Sequence, residues 1–427
     1  MAIDRRDFLK FAGTGFATTL AGLAIPQAAL AKSKASKAKV VVVGAGYGGA
    51  TCARYLRIWD PSIEVTLIDP HSHMVSCPMS NWVLSGMRDM NDLNKPYDGL
   101  RKRGIKMVQD SVTGVDATKR TVTTQGGKTI PYDRLVLSPG VEFMTGTVQG
   151  YDAASKAGKV VHAFNAGPET ALLRKQLEAM PDGGVFVIAS PPPTGKCVSG
   201  PYERACMAAF YLKQYKPKSK IIMLDGHMQI VSKGPMFQKA FDRFYPGMVE
   251  HRPNNMVNSV DHTTMTVSSD WDSVKADVIN IIPMQRANKV CDIAGVRSDS
   301  ANRWCPVNFG TFESKSVPNI HIIGDSVLSN MPKSAHVANN QGKITAAAII
   351  EMFHGSEPDP FPIIGSTSYS ATSDHTSGPI AVVMRYDQDQ DVYVRQVGGG
   401  AATDSDELNF EYNKAWFESM WADTLGL

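Results

Sequence analysis

The chain has 427 residues, which is enough for about two or three domains with sizeable cores. Its formal net charge is only +3, and no basic cluster interleaved with aromatic residues is present, which excludes a nucleic-acid-binding footprint. The six cysteines permit disulfides but form no C-x-x-C motif and no Cys/His cluster, so neither a metal site nor covalent haem is expected on this chain.

The first 31 residues are predicted to be a twin-arginine signal peptide. Arg5 and Arg6 lie in the segment D-R-R-D-F-L-K, an apolar run follows from Phe11 to Ile25, and A-L-A at 29–31 is a small-x-small cleavage signal. The alternative is an uncleaved amphipathic N-terminus or a membrane anchor, but the apolar run is short for a membrane span and rich in Gly and Thr. We therefore expect a mature protein in a bacterial periplasm, and since no later run of 18 apolar residues exists, we expect no membrane span in it.

A dinucleotide-binding unit opens the mature chain. The buried strand Lys39–Val43 runs directly into G-A-G-Y-G-G, which is a G-x-G-x-x-G motif formed by Gly44, Gly46 and Gly49. A helix over 50–57 and a second strand from Glu64 follow, and the strand ends at Asp69, which is placed to bond a ribose hydroxyl. This order of elements predicts dinucleotide binding.

Cys77 follows the second strand in the segment V-S-C-P-M-S-N, and later Y-D-R-L-V-L-S-P-G, ending at Gly140, predicts the strand that returns from the first dinucleotide-binding segment. Loops that leave the carboxyl ends of parallel strands line the ligand crevice, so a thiol at Cys77 could reach the ring of the bound cofactor. The alternative for Cys77 is a small buried hydrophobic residue.

A second βαβ unit follows, with strands at 184–190 and 221–224 and a helix at 201–212. Three prolines and Cys197 stand in V-I-A-S-P-P-P-T-G-K-C, where a nicotinamide-binding domain carries glycines. Because proline has no N–H to donate to a pyrophosphate, the NADH site is expected to be lost. Cys197 precedes the helix, whose N-terminus would lower the thiol pKa, while Glu203 would oppose that lowering or relay a proton. A structural cysteine beside a surface glutamate is the alternative.

The strand at 319–323 ends in Gly324 and Asp325, ahead of a helix at 341–353. In flavoproteins with two dinucleotide domains, a strand ending in G-D brings the acid toward the ribityl and pyrophosphate region, which favours FAD over NAD. The predicted fold class is α/β, with two Rossmann-like domains and a C-terminal α+β domain. The predicted domains are a discontinuous FAD-binding domain at 32–148 and 275–348, a second Rossmann-like domain at 149–274, and a C-terminal flavin-cover domain at 349–427.

The chain resembles the flavoprotein subunit of flavocytochrome c sulfide dehydrogenase, a family related to sulfide:quinone oxidoreductases and to disulfide reductases of the glutathione reductase-like fold. The resemblance rests on V-V-V-G-A-G-Y-G-G-A-T, D-P-S-I-E-V-T-L-I-D-P, C-P-M-S-N, G-P-Y-E-R-A, K-A-D-V-I-N-I-I-P, W-C-P-V and I-G-D followed by M-P-K-S and N-N-Q-G-K.

The resemblance implies that FAD is attached through a thioether to Cys77 of the C-x-x-S-N segment, which ends at Asn81. It implies that Cys197 belongs to a redox disulfide over the flavin and that Glu203 lies beside this site. It also implies a heterodimer with a c-type cytochrome subunit that accepts the electrons. The small substrate would be sulfide, oxidised to sulfur or polysulfide.

The chain departs from the family pattern at the second redox cysteine. The matching segment is S-T-S-Y-S, which places Ser368 at that position, and no cysteine follows Cys305. The disulfide therefore cannot form unless Cys206 or Cys291 replaces the missing partner. The preferred mechanism uses Cys197 alone, either as a persulfide or with sulfur attacking the flavin directly. The alternatives are a different small sulfur or thiol donor and a non-catalytic flavin electron-transfer subunit, with NADH oxidation ranked last.

Overall fold

The computed structural model describes residues 38–192, 195–299 and 301–427. The predicted signal peptide at 1–31 and Pro193 of the proline turn lie outside the described residues. Among the described residues, no helix is both long enough and apolar enough to cross a membrane.

Strands and helices alternate through most of the chain. The first segment contains the strands β1 (Lys39–Val43), β2 (Glu64–Asp69), β3 (His73–Val75), β4 (Asn94–Pro96), β5 (Lys106–Gln109), β6 (Val112–Asp116), β7 (Thr121–Thr124), β8 (Thr129–Pro131), β9 (Arg134–Leu137) and β10 (Val141–Phe143), the helices α1 (Tyr47–Trp59), α2 (Asn81–Ser85) and α3 (Asp98–Lys102), and 3₁₀ turns at Met90–Leu93 and Thr145–Thr147.

The middle segment contains the strands β11 (Val160–Val161), β12 (Val185–Ser190), β13 (Lys220–Asp225), β14 (Val249–Arg252), β15 (Val257–Asp261), β16 (Thr266–Ser269), β17 (Ser273–Lys275), β18 (Val278–Ile281) and β19 (Gln285–Ala287), and the helices α4 (Tyr151–Lys156), α5 (Pro168–Ala179), α6 (Gly200–Tyr215), α7 (Gly234–Phe244) and α8 (Lys289–Ile293). The last segment contains the strands β20 (Ile320–Ile322), β21 (Ile363–Ala371), β22 (Ser377–Asp387), β23 (Val392–Arg395) and β24 (Gly400–Ala401), the helices α9 (Ala335–His354) and α10 (Glu407–Leu425), and a 3₁₀ turn at Gly324–Ser326.

The first sheet is parallel and has the strand order β20-β9-β1-β2-β5. β1 is central, and Val40, Val41 and Val42 are almost completely buried, as expected for a parallel strand covered on both faces. Because β20 comes from a distant part of the chain, this domain is assembled from two separate segments. The antiparallel strands β6, β7 and β8 form a small meander between β5 and β9 in the chain.

The second sheet is also parallel, with the order β11-β18-β12-β13-β14. β18 lies beside β12 here, although the predicted boundary at 275 assigns it to the FAD-binding domain. The boundary therefore falls after Ile281. The sequence of β18, V-I-N-I, is compatible with a buried strand in either sheet, and only the pairing of its backbone decides between them.

The C-terminal domain consists of an antiparallel sheet, in which β22 pairs with β21, β23 and β24, and of the helix α10. α10 packs against both β22 and α1, and α9 packs against α1. Gly342 makes the contact between α9 and α1 possible, since a Cβ there would lie 2.6 Å from the Gly48 carbonyl oxygen. Through α10, the C-terminal domain contacts α1, the helix that follows the glycine motif.

Candidate active site

The three glycines of the first motif have different roles. Gly44 has φ of +94°, and a Cβ there would lie 2.3 Å from the Ser138 carbonyl oxygen. A Cβ on Gly49 would lie 1.9 Å from the Gly44 carbonyl oxygen, so this glycine allows α1 to pack against the strand end. No protein atom lies within 4 Å of the Cβ position of Gly46, which faces a large cavity. The motif leaves room for a ligand only at Gly46.

This cavity has a volume of about 810 Å³, within the range of small-molecule and cofactor sites. It brings together most of the residues predicted for the site, although they come from distant parts of the chain. The predicted residues that line it are Gly46, Cys77, Asn81, Gly140, Cys197, Glu203, Gly324 and Asp325. A glycine-lined opening, a carboxylate after a strand and two thiols fit a flavin dinucleotide better than they fit a metal.

Asp69 does not line the cavity. One carboxylate oxygen accepts the Ala45 backbone N–H at 2.7 Å, and the other accepts the His71 backbone N–H at 2.9 Å. Asp69 therefore stabilises the backbone of the glycine turn and of the loop that follows β2. Gly44 and Gly49 also lie behind the cavity wall rather than on it.

Cys77 faces the cavity from the loop between β3 and α2. Its Sγ accepts the Ala166 backbone N–H at 3.3 Å, and it lies 3.8 Å from both the Phe164 carbonyl oxygen and the Lys196 ammonium. A sulfur with two polar donors is not in the environment of a buried hydrophobic residue. The geometry favours the reactive alternative for Cys77.

Cys197 lies in the loop between β12 and α6. Its φ of +51° is unusual for a residue with a side chain. Its backbone N–H donates to the Lys333 carbonyl oxygen at 3.0 Å, and its carbonyl accepts the Gly200 N–H at 2.8 Å. The predicted lowering of its pKa is wrong. Although the side chain opens onto the cavity, the surrounding protein and then the carboxylate of Glu203 raise the pKa of Cys197 to about 11.

Glu203 lies on the first turn of α6, and its two carboxylate oxygens are fixed separately. Asn81 Nδ2 donates to Oε2 at 2.9 Å, and the Ala371 backbone N–H donates to Oε1 at 2.9 Å. Burial raises the pKa of Glu203 above its usual value, and these two hydrogen bonds only partly oppose the shift. Glu203 can therefore hold a proton beside Cys197 at a higher pH than an exposed glutamate.

The end of β13 shows why the second unit differs from a nicotinamide-binding domain. Asp225 is fully buried and accepts hydrogen bonds from Ser190, Tyr202, His227 and His251 at 2.6–2.8 Å. A ribose at this strand end would find no free carboxylate oxygen. The glycine after it, Gly226, touches the proline turn, because a Cβ there would lie 2.6 Å from the Pro192 nitrogen.

Ser368, at the position of the missing redox cysteine, lies on β21 and lines the same cavity as Cys197. The two proposed replacements do not line it, because Cys206 and Cys291 are both buried in the hydrophobic core. In the part of the chain that the structure describes, all six cysteines are unpaired. The structure therefore provides no substitute partner for Cys197.

Two buried cations near the site were missed by the sequence analysis. Arg204 is 2% exposed and donates to Asn81 Oδ1, to Asn280 Oδ1 and to the carbonyl oxygens of His162 and Ala163. Lys233 is also 2% exposed, and its ammonium has no hydrogen-bond partner among the described residues. Burial lowers the pKa of Lys233 to about 8. The sequence segments E-R-A and S-K-G, which contain Arg204 and Lys233, do not by themselves predict the burial of these side chains or their contacts.

Two family models match adjoining parts of the chain. Residues 38–178 match pyridine nucleotide-disulphide oxidoreductase, and residues 170–283 match the central region of the sulfide dehydrogenase [flavocytochrome c] flavoprotein chain. Together they span the first parallel sheet up to β9 and all five strands of the second sheet.

Individual relatives agree with these matches. The sulfide dehydrogenase [flavocytochrome c] flavoprotein chain of Chlorobaculum thiosulfatiphilum is 60% identical over 45 residues, which are 94% of that sequence and 10% of this chain. The sulfide-quinone reductase of Aquifex aeolicus (strain VF5) is 27% identical over 297 residues, 67% of each chain. The solved structure of the sulfide:quinone oxidoreductase from Aquifex aeolicus has a TM-score of 0.73 at 21% identity, covering 91% of this chain and 92% of that one.

Two Rossmann-like sheets, a glycine motif opening onto a large cavity and a thiol on each side of it define a flavin-dependent oxidoreductase of the disulfide reductase class. Within that class the chain belongs to the family of sulfide dehydrogenase [flavocytochrome c] flavoprotein chains. The predicted family and fold class are confirmed.

Proposed function

We propose that the chain is a periplasmic, FAD-dependent sulfide dehydrogenase that passes electrons to a c-type cytochrome subunit. One observation carries this proposal: Cys197 and Glu203 line the same cavity as Gly46, Cys77 and Asp325. A thiol, a buried carboxyl group and the flavin-binding residues thus face one space. The sulfur product would be elemental sulfur or polysulfide.

In this proposal the residues that hold FAD are Gly46, Gly140, Gly324 and Asp325, with a thioether at Cys77. Bound FAD would supply the two-electron oxidation that allows sulfide sulfur to join the Cys197 sulfur, and would release these electrons one at a time to a one-electron acceptor. Cys197 supplies the sulfur atom that carries the bound sulfane sulfur. Glu203, whose pKa is raised by burial, takes up and returns the thiol proton.

The predicted twin-arginine signal peptide supports the proposed periplasmic location, since the twin-arginine pathway carries folded proteins that have already bound a cofactor. The arginine pair at Arg5 and Arg6 precedes an apolar run and a cleavage signal. The test is fractionation of cells that express the full chain, with and without an R5K/R6K change. Retention of the wild-type chain in the cytoplasm would contradict the proposal.

The catalytic role of Cys197 is tested by anaerobic stopped-flow reduction of the bound flavin with sulfide. Cys197→Ser should slow the bleaching by about 10²-fold or more, because a serine hydroxyl cannot carry the sulfane sulfur. Cys206→Ala is the matched control, since Cys206 lies in the core outside the cavity. Unchanged bleaching in Cys197→Ser would show that sulfur reacts without this thiol, and a panel of thiols and polysulfides would then identify another donor.

A quinone is the alternative to a c-type cytochrome as the electron acceptor. Several relatives carry names of quinone-dependent enzymes, among them the sulfide:quinone oxidoreductase of Dictyostelium discoideum, so a quinone is the second candidate. Turnover with a c-type cytochrome and with a soluble quinone should be compared in the same preparation. Faster turnover with quinone would overturn the cytochrome assignment, while turnover with neither, after sulfide has bleached the flavin, would indicate an unidentified acceptor. NADH should not bleach the flavin, because Asp225 is already saturated with donors.

A further inference from the structure

Lys196 lies between the two cysteines of the cavity, but its side chain reaches Cys77 rather than the neighbouring Cys197. Its ammonium is 3.8 Å from Cys77 Sγ and also donates a hydrogen bond to Asn165 Oδ1. The Lys196 backbone is fixed from the other side, because its N–H donates to Gln285 Oε1 at 2.9 Å and Gln285 is 2% exposed. Both ends of the residue are therefore held in place.

Two backbone groups also contact the Cys77 sulfur: the Phe164 carbonyl oxygen accepts from it at 3.8 Å, and the Ala166 N–H donates to it. The Ala166 backbone N–H points at the sulfur from 3.3 Å, so one neutral donor and one cation converge on the same atom. Hydrogen bonds and positive charge both stabilise a thiolate, which is the nucleophilic form of cysteine. Lys196, Cys77 and Gly46 line the same cavity, so the sulfur is presented toward the space that FAD would fill.

We propose that Lys196 is the catalytic residue for covalent attachment of FAD to Cys77. This inference rests on the thioether in the proposed function, but not on sulfide being the substrate. Lys196, together with the Ala166 N–H, stabilises the sulfur anion of Cys77 while the carbon–sulfur bond forms. Overall, one S–H bond and one C–H bond of a flavin methyl group would break and one C–S bond would form, and the two electrons and two protons would remain on the flavin, which would thereby be reduced.

The roles of the two neighbouring contacts follow from this assignment. Asn165 accepts a hydrogen bond from the lysine and so keeps the ammonium directed toward the sulfur. Gln285 fixes the backbone from which the side chain extends. Both are positioning residues, because neither contacts Cys77.

The test measures covalent flavin in the full chain purified with its bound FAD. Acid precipitation separates covalent from free flavin, and peptide mass spectrometry locates the attachment. Lys196→Met should bind flavin but attach it about tenfold more slowly than the wild type, while Lys196→Arg, which keeps the charge, should retain most of the attachment. Cys77→Ser should contain only dissociable flavin. Lys275→Met, on the exposed strand β17, is the control for loss of a lysine.

Equal rates and equal final fractions in Lys196→Met and the wild type would overturn the role of the lysine. Wild-type protein without covalent flavin, or covalent flavin in Cys77→Ser, would instead refute the thioether at Cys77 and the inference with it. If Lys196→Met binds no flavin, site-resolved alkylation of Cys77 by iodoacetamide replaces the measurement. About tenfold slower alkylation than in flavin-free wild type would support the inference, and equal alkylation would overturn it.

Discussion

Asn81 and Glu203 are joined by a hydrogen bond of 2.9 Å between Nδ2 and Oε2, although they lie 122 positions apart in the sequence. Asn81 begins α2 and Glu203 lies on α6, and these two helices pack against each other. The same amide accepts from Arg204 Nε at 3.1 Å through Oδ1. One side chain therefore positions both the carboxyl group and the buried guanidinium beside the site.

Asn81→Leu should lower stability and shift the pH dependence of flavin reduction. The substitution removes a donor to Glu203 and an acceptor for Arg204, and each unsatisfied buried group costs about 1–3 kcal/mol. The hydrogen bond from the Asn81 side-chain amide lowers the pKa of Glu203. Loss of this hydrogen bond should therefore move the pH midpoint of sulfide-dependent bleaching upward. Urea unfolding and stopped-flow profiles measure the two effects. Asn94→Ala, at an exposed position, should change neither.

Glu203→Gln and Lys196→Met should shift the pKa of the Cys197 thiol in opposite directions. The Glu203 carboxylate raises this pKa, and the Lys196 ammonium lowers it. Removing the carboxylate should therefore bring the midpoint of Cys197 alkylation below about 11, and removing the ammonium should raise it. The rate of iodoacetamide modification against pH, resolved by mass spectrometry, checks both. Shifts of the same sign in the two variants would contradict the electrostatic interpretation.

Gly46→Ala and Gly49→Ala should separate flavin binding from folding. A Cβ on Gly49 would lie 1.9 Å from the Gly44 carbonyl oxygen, so Gly49→Ala should destabilise the apoprotein as well as weaken flavin binding. A Cβ on Gly46 meets no protein atom within 4 Å and projects at the cavity, so Gly46→Ala should lose flavin affinity with little loss of apoprotein stability. Flavin content and thermal unfolding of flavin-free protein distinguish them. Equal destabilisation by both variants would refute this division of roles.

Asp225→Ala should destabilise the second sheet domain most strongly at neutral pH. Burial by itself would raise the pKa of Asp225, but the hydrogen bonds from His227, His251, Tyr202 and Ser190 outweigh it and hold the pKa far below its usual value. A carboxyl group with a depressed pKa in the folded state contributes stability above its unfolded pKa of about 3.9, and this contribution is lost as the pH falls through the folded value. The difference in unfolding free energy between wild type and Asp225→Ala should therefore shrink below about pH 4.

The matched control for this prediction is Asp261→Ala, whose carboxylate lies at an exposed turn and bonds only to Thr263 and Thr264. Asp261→Ala should lower the unfolding free energy much less than Asp225→Ala at neutral pH, because water replaces the lost hydrogen bonds. Denaturant unfolding at a series of pH values measures both. A constant difference between wild type and Asp225→Ala down to pH 2 would be inconsistent with the buried cluster.

The sequence was sufficient for the parts of the fold that depend on local pattern. The predicted strand Lys39–Val43 has the observed bounds, and α1 begins at Tyr47 where residue 50 was expected. In contrast, the sheet that receives β18 depends on which backbone it meets, and the contacts of Arg204 join residues 41 to 123 positions away. The pKa of Cys197 was mispredicted for the same reason, since helix position is visible in the sequence but the surrounding burial is not.

The buried carboxylate of Asp225 has a consequence for protein engineering. Replacing the prolines at 191 and 192 with glycines would restore backbone donors at the turn, yet the acid that should receive the coenzyme's ribose would still be held by four donors. Freeing it would leave the His227 and His251 imidazoles without their acceptor inside the domain. A change of coenzyme specificity in this scaffold therefore requires rebuilding the interior of the second domain, and a graft of the turn alone would fail.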